Sequence, residues 1–117
     1  QEVARVKKAR SIFTEKINGV MVLKRDFKIS EGERVLVVDD VLNSGRLCGE
    51  AINLARGYGA KVIGVAAIVD RSTGDLTLNV PVRGLISYPL QLFPPDNCPL
   101  CKQGMPAYRP GTKKIGK

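Results

Sequence analysis

Val35-Leu36-Val37-Val38-Asp39-Asp40-Val41-Leu42-Asn43-Ser44-Gly45-Arg46 is the stretch on which the reading of this chain turns. Four apolar residues, three of them valine, end in two adjacent carboxylates. A short loop with an amide, a hydroxyl and a glycine follows, and a helical pattern then begins. A buried parallel strand has this kind of apolar run. In open α/β sheets, ligands sit beyond the C-terminal ends of strands, often at a helix N-terminus that favours phosphate. Two acids beside such a loop suit a sugar phosphate. The carboxylates accept hydrogen bonds from ribose hydroxyls, and the loop N–H groups hold the phosphate. A chance acid pair where a strand leaves the core is the plain alternative. The loop tips the balance: Ser44 can cap the helix, Gly45 allows a tight approach, and successive N–H groups form an anion nest.

Working outward, Leu47, Ala51, Leu54 and Ala55 recur on one helical face and predict a helix from Arg46 to Arg56. Gly57 and Gly59 end it. Lys61 to Val69 reads as a second buried strand, so strand, helix and strand make a βαβ unit and place the chain in the α/β class. Upstream, residues 2–9 read as the end of a helix. Ser11–Thr14 and Val20–Lys24 read as strands, with Asn18-Gly19 as a turn signal. Downstream, Thr77–Val82 and Leu85–Tyr88 predict a further strand or edge pair, Pro81 favouring the edge. From Pro94 the chain is rich in Pro, Gly and Lys. The domain reading is a core over residues 1–93 and a tail over residues 94–117.

These segments carry a family likeness. The run from Val35 resembles the phosphoribosyl-diphosphate signature of the type I phosphoribosyltransferases. That signature has apolar residues, two acids, an apolar pair, then a hydroxyl-bearing loop with glycine. Arg10-Ser11-Ile12-Phe13-Thr14-Glu15-Lys16, Leu23-Lys24-Arg25-Asp26-Phe27 and Gly32-Glu33-Arg34 resemble the orotate branch of that family. So do Gly59-Ala60-Lys61-Val62 and Val69-Asp70-Arg71-Ser72. The tail Cys98-Pro99-Leu100-Cys101-Lys102-Gln103-Gly104-Met105-Pro106, with Arg109-Pro110-Gly111, is similar to a bacterial-type group within the branch. This tail is more specific than the acid pair alone.

The resemblance implies a Rossmann-type parallel sheet flanked by helices. It implies transfer of phosphoribosyl from phosphoribosyl diphosphate to orotate, giving orotidine monophosphate, with magnesium as cofactor. It implies a cytoplasmic homodimer. The chain would begin inside a helix of the family, at Glu2-Val3-Ala4-Arg5, and be incomplete at its N-terminus, where the family has a hood and a pyrophosphate loop. A fragment and a degenerate copy both fit. The alternative reading is a catalytically incomplete or regulatory binding module of the same fold.

Residue by residue, the resemblance assigns Asp39 and Asp40 to the ribose hydroxyls, one of them assisting charge development at the anomeric carbon. Asn43, Ser44, Gly45, Arg46 and Leu47 become the phosphate loop, Arg71 an orotate contact and Lys16 a cation for the leaving pyrophosphate. Lys24 and Arg25 lie in the same basic hairpin. No residue is assigned as a metal ligand. The loop departs from the family pattern. Asn43 stands where Thr is usual, and Arg46 where Gly or Lys is frequent. Leu47 stands where a hydroxyl or small residue is usual and supplies no hydroxyl. Asp26 stands where Gly is expected. The plain readings are a surface ion pair for Arg71 and a solvated hairpin for the cations.

Composition narrows the classes. The 117 residues fit one domain. No run approaches the roughly 18 apolar residues of a membrane helix. The basic N-terminus has no apolar segment and cleavage site behind it, so it is not a secretory signal. Three cysteines argue against a disulfide framework and suit a reducing compartment. The net charge of +8 sits at the ends. Residues 1–10 contribute +3, residues 102–117 contribute +5, and the ten basic and ten acidic residues between them cancel. A solvated basic tail is the simpler reading than a nucleic-acid contact, because no aromatic residues interleave with the cations. Cys98-x-x-Cys101 offers two of the four ligands a structural zinc needs, and the chain has no histidine. A redox pair is usually set at a helix start, whereas this one lies in a Pro-rich tail; the resemblance makes this segment a structural turn, with a zinc shared between two chains as the alternative. A receiver domain also carries acids at a strand end, but near its chain start. Here 34 residues precede the run and the glycine loop follows directly.

Overall fold

The computed structural model describes residues 1–24, 26–74 and 76–105. Arg25 of the basic hairpin and the tail motif from Pro106 through Arg109-Pro110-Gly111, with its lysines, lie outside the described residues. The chain runs through helix α1 (Glu2–Lys7) and strands β1 (Thr14–Ile17), β2 (Val20–Leu23) and β3 (Arg34–Leu42). Helix α2 (Arg46–Gly57), strands β4 (Lys61–Asp70) and β5 (Val82–Ser87), a 3-10 turn (Pro95–Asn97) and helix α3 (Pro99–Lys102) follow.

The valine-rich run pairs as expected of a parallel strand. β3 lies parallel to β4 and β4 parallel to β5, in the order β3-β4-β5. Val37 faces Val65 and Asp39 faces Ala67, after a register shift between Val35 and Leu36. Helix α2 links β3 to β4 and packs on one face of the sheet. Cys48, Ile52 and Ala55 point into that face and are buried. With Leu42, Val65 and Ala67 they form the core, flanked by Leu76, Leu78 and Val80 from the connection into β5.

The end of α2 explains the turn into β4. Gly59 adopts φ +81 and the Ala60 N–H donates back to the Ala55 carbonyl at 3.1 Å. A Cβ on Gly59 would meet Glu31 Cγ at 3.0 Å. β1 and β2 form a separate antiparallel hairpin. Asn18 and Gly19 both take positive φ, which matches the twist of a two-residue hairpin. Phe13 stacks edge-on against Phe27 at 5.0 Å, and Arg10 binds the Glu33 carboxylate and the Lys28 carbonyl.

Several elements differ from expectation, each for a local reason. β3 continues to Leu42, so both acids lie inside the strand. Continued pairing of Val41 with Val69 and Leu42 with Asp70 outweighs the exit that the charges suggested. The first hairpin strand begins at Thr14 rather than Ser11, its length set by pairing with β2. Leu47 is not on the packing face of α2, which centres on Cys48, Ile52 and Ala55. Of the predicted strand or edge pair after Thr77, one strand forms, Val82–Ser87. The preceding Leu78 and Val80 pack on the core as loop residues. The tail also holds short helical turns where irregular chain was expected.

Candidate functional site

The C-terminal end of β3 positions the candidate site. Alternation along the strand sends Asp39 to the α2 face and Asp40 to the opposite face. Asp39 is half-buried. Its Oδ2 accepts a hydrogen bond from Cys48 Sγ at 3.6 Å and its Oδ1 accepts from the Asp40 N–H at 3.0 Å. Asp40 is exposed, and its Oδ1 accepts from the Val41 N–H at 2.7 Å. Burial pushes the Cys48 thiol up to about 11, helped by the Asp39 charge and by the hydrogen bond to it. Cys48 therefore stays a neutral donor beside an acceptor carboxylate.

The loop after Leu42 turns tightly at Gly45. This glycine is buried at φ +72, and an added Cβ would meet Leu76 Cδ2 at 2.9 Å. Only glycine suits that conformation and that space. Gly45 is also the residue that caps α2, and no side chain bonds the first turn. The expected Ser44 cap is not made. Ser44 is exposed, and a cleft of about 220 Å³ opens beside the start of α2, whose first-turn N–H groups have no intrahelical partner. Asp39 and Asn43 through Leu47 line this cleft. An anion there would meet N–H donors and the positive end of the helix dipole.

A second cleft, of about 330 Å³, opens beyond the ends of β3 and β4. Asn43, Ser44, Arg71, Ser72, Thr73 and Gln91 bring polar groups to it. Arg71 is held by its backbone: its N–H donates to the Leu42 carbonyl at 2.7 Å and its carbonyl accepts from the Leu90 N–H at 3.2 Å. Its Nε is buried with no hydrogen-bond partner among the described residues. Asp70 does not pair with it; Asp70 Oδ1 accepts from the Ser72 N–H at 2.9 Å instead. The surface ion pair considered for Arg71 is absent among the described residues.

Lys16 reaches the site from the hairpin. It lines a third cleft, of about 360 Å³, with Asp39, Leu47 and Cys48. Its ammonium binds Glu50 at 2.7 Å, and Arg46 binds the same carboxylate at 2.8 Å. The Lys16 hydrogen bond, and secondarily the two charges and the Arg46 bond, hold the Glu50 carboxyl below its ordinary range against some desolvation. Leu47 is 47% exposed between the two clefts at this end of α2. Asp40 lines none of these clefts. Glu50 and Gln91 are site residues that sequence reasoning missed. The Arg46–Glu50 spacing of one helical turn was a readable signal for Glu50; nothing marked Gln91.

Asp39, the glycine loop and the start of α2 line one cleft, and Arg71 lines the next with Asn43 and Ser44; both open at the C-terminal ends of the parallel strands, where open α/β sheets bind ligands. The family follows. The profile described as the phosphoribosyl transferase domain matches residues 1–89, and the chain belongs to that family. It is 46% identical over 114 residues to orotate phosphoribosyltransferase of Desulforamulus reducens. It is 48% identical over 113 residues to the protein of that name from Thermotoga maritima. Each alignment covers 97% of this chain and 60% of the relative, so the chain spans about 60% of the length of the curated relatives it matches. The crystal structure of orotate phosphoribosyltransferase from Aeropyrum pernix matches with a TM-score of 0.57 at 22% identity. That match covers 74% of this chain and 51% of the other and bears on the fold alone.

Proposed function

We propose that this chain carries the ribose-phosphate and base-binding part of an orotate phosphoribosyltransferase, with residues 1–93 as core and 94–117 as tail. The observation that carries the reading is Arg71. A buried guanidinium nitrogen without a partner among the described residues, beside a cleft that Asn43 and Ser44 also line, leaves room for an acceptor from a ligand. The fork of Arg suits the carboxylate and carbonyl of orotate. In this reading the N–H groups from Asn43 to Arg46 hold the 5′-phosphate and the Asp39 carboxylate accepts from a ribose hydroxyl. Asp40 meets the ribose from the other side of the strand. Lys16 and Arg46 balance charge as pyrophosphate leaves. Such transfer depends on positioning and charge stabilisation more than on a strong base.

Magnesium fits this donor set only in part. Carboxylate oxygens are the right hard donors, and Mg²⁺ is commonly held by one or two carboxylates together with substrate phosphates. Among the described residues no three His, Cys, Asp or Glu side chains converge. Asp39 or Asp40 would hold the ion with the diphosphate, and the ion would supply charge neutralisation for the leaving group. No helix among the described residues is long and apolar enough to cross a membrane. The free thiols suit a cytoplasmic setting. Ile17 and Val20, paired and exposed at the hairpin tip, are the surface we assign to a homodimer contact.

Calorimetric titration with phosphoribosyl diphosphate and magnesium, then with orotate, tests the proposal. Saturable binding of both is expected, with Arg71→Lys weakening orotate and sparing phosphoribosyl diphosphate. Equal weakening of both, or no binding, would overturn the assignment of Arg71. A binding module without turnover is the second reading. It is favoured by Glu50, which engages both Lys16 and Arg46 and so competes with a diphosphate for them. Orotate consumption followed by absorbance separates the two.

A further inference from the structure

Cys48 stands where the core meets the candidate site. It is the third residue of α2 and only 2% exposed, packed with Leu42, Ile52, Val65 and Ala67. It also lines both clefts that Asp39 lines, the one that Lys16 enters and the one at the start of α2. Its Sγ donates to Asp39 Oδ2 at 3.6 Å, and the Asp40 N–H donates to Oδ1 at 3.0 Å. Each carboxylate oxygen thus has one donor, the first from the helix and the second from the strand. Among the described residues nothing else bonds this carboxylate, and the nearby cations Lys16 and Arg46 pair with Glu50 instead. A carboxylate has about four acceptor positions, so Asp39 can still accept from a ligand in either cleft. Without the thiol, only the N–H of the next residue would fix the side chain. A core position of this kind needs only apolar bulk, and a thiol adds a donor to it.

We propose that Cys48 is a positioning residue for Asp39: its thiol, anchored in the core, holds the carboxylate so that the remaining acceptor positions meet the hydroxyls of a bound ribose phosphate. This role rests on the ribose reading of Asp39 given above and names the group that aims it. An acceptor held before the ligand arrives loses less side-chain freedom on binding. The sulfur can serve as a fixed point because the side chains around it, Leu42, Ile52 and Val65, are themselves buried. Burial above all raises the thiol to about 11, so it keeps its proton and remains a donor at neutral pH. A purely space-filling role for Cys48 would depend on bulk alone. It would not distinguish a ligand that carries a ribose from one that does not.

The test titrates the full chain with ribose 5-phosphate and with inorganic phosphate by calorimetry. Cys48→Ser and Cys48→Ala lose similar bulk, and only the first keeps a donor. Cys48→Ala is expected to weaken ribose 5-phosphate roughly 3- to 10-fold, the cost of ordering one freed side chain on binding. Cys48→Ser is expected to stay within about 2-fold of the unsubstituted chain. Inorganic phosphate needs only the loop N–H groups and is expected to bind all three alike. In an Asp39→Asn background, Cys48→Ala is expected to add no further loss. Infrared spectra read the bond without any ligand. The Cys48 S–H stretch, isolated by difference from Cys48→Ser, is expected to move to the free-thiol frequency in Asp39→Ala, and this arm decides if Cys48→Ala does not fold. Equal losses in Cys48→Ser and Cys48→Ala, an unchanged ribose 5-phosphate affinity in Cys48→Ala, or an S–H band that stays in place would overturn the positioning role alone. An unsubstituted chain that binds ribose 5-phosphate no better than inorganic phosphate would overturn the ribose reading of Asp39, and this role with it.

Discussion

The two faces of the sheet have opposite characters. On the α2 face, Ile52, Val65 and Ala67 are buried, and Asp39 is drawn toward Cys48 at the strand end. On the other face, Leu36, Val38, Ile68 and Leu85 stand 42%, 50%, 54% and 84% exposed, and Asp40 is exposed. Both faces are apolar in sequence, as both faces of a parallel sheet are when each is covered. One face has its cover among the described residues and the other does not. The acid pair straddles this divide. Asp39 belongs to a packed, preorganised environment, and Asp40 to a surface whose geometry owes little to packing.

If the faces differ in this way, side-chain truncation separates them most. Ile52→Ala is expected to cost about 2–5 kcal/mol, the usual range for a buried aliphatic side chain. Ile68→Ala on the open face is expected to cost well under about 1 kcal/mol. Urea unfolding of the two variants makes the comparison, and equal losses would mean that Ile68 is covered in solution. A high pH breaks the packed face next. The Cys48 thiol is raised by folding, so its contribution is complete below its ordinary value of 9.0 and is lost as pH rises through about 11. The total is about 3 kcal/mol. Melting curves between pH 8 and pH 11 are expected to show this extra loss, and Cys48→Ala to remove it.

The acids sharpen the contrast. Asp39→Asn and Asp40→Asn are each expected to weaken phosphoribosyl-diphosphate binding roughly 10- to 100-fold, from one lost charged hydrogen bond of about 1.5–3 kcal/mol. Only Asp39→Asn should also lower the Cys48 thiol, because it removes the charge that burial works with. Thiol reactivity against pH, beside calorimetry, reads both effects. Unchanged affinity in Asp40→Asn would remove that residue from the site.

Much of this was legible and some was not. The valine run, Gly45 and the apolar spacing of α2 announced strand, loop and helix, because each is a local signal. The exact reach of β3 was not announced. Whether Asp39 and Asp40 pair within the sheet depends on β4, and only the register of Val41 with Val69 settles it. Ser44 looked like a cap, but the αL turn at Gly45 takes that position. The buried Nε of Arg71 was invisible, since the burial of one side-chain atom is set by the tertiary fold and not by the local sequence. Cys98 read as loop, although the four residues after it form a helical turn.

The smallest expected effect concerns Glu50, at the margin of the packed face. Its carboxylate takes bonds from Lys16 and Arg46, so two cations beside the phosphate cleft are partly neutralised. Glu50→Gln adds one positive charge there and frees both side chains. Exposed ion pairs are weak, so the gain is modest: inorganic phosphate is expected to bind roughly 2- to 5-fold more tightly, with a steeper salt dependence. The carboxyl is held below its ordinary range. The pairing is therefore complete above that range and is lost as pH falls through the lowered value. The variant and the unsubstituted chain should converge in acid, once both carry a neutral group at position 50. Titrations at neutral and acidic pH, in low and high salt, check this. Weaker phosphate binding in Glu50→Gln at neutral pH would mean that Glu50 orients Lys16 and Arg46 for the anion, and that the packed face reaches into the site through its ion pairs.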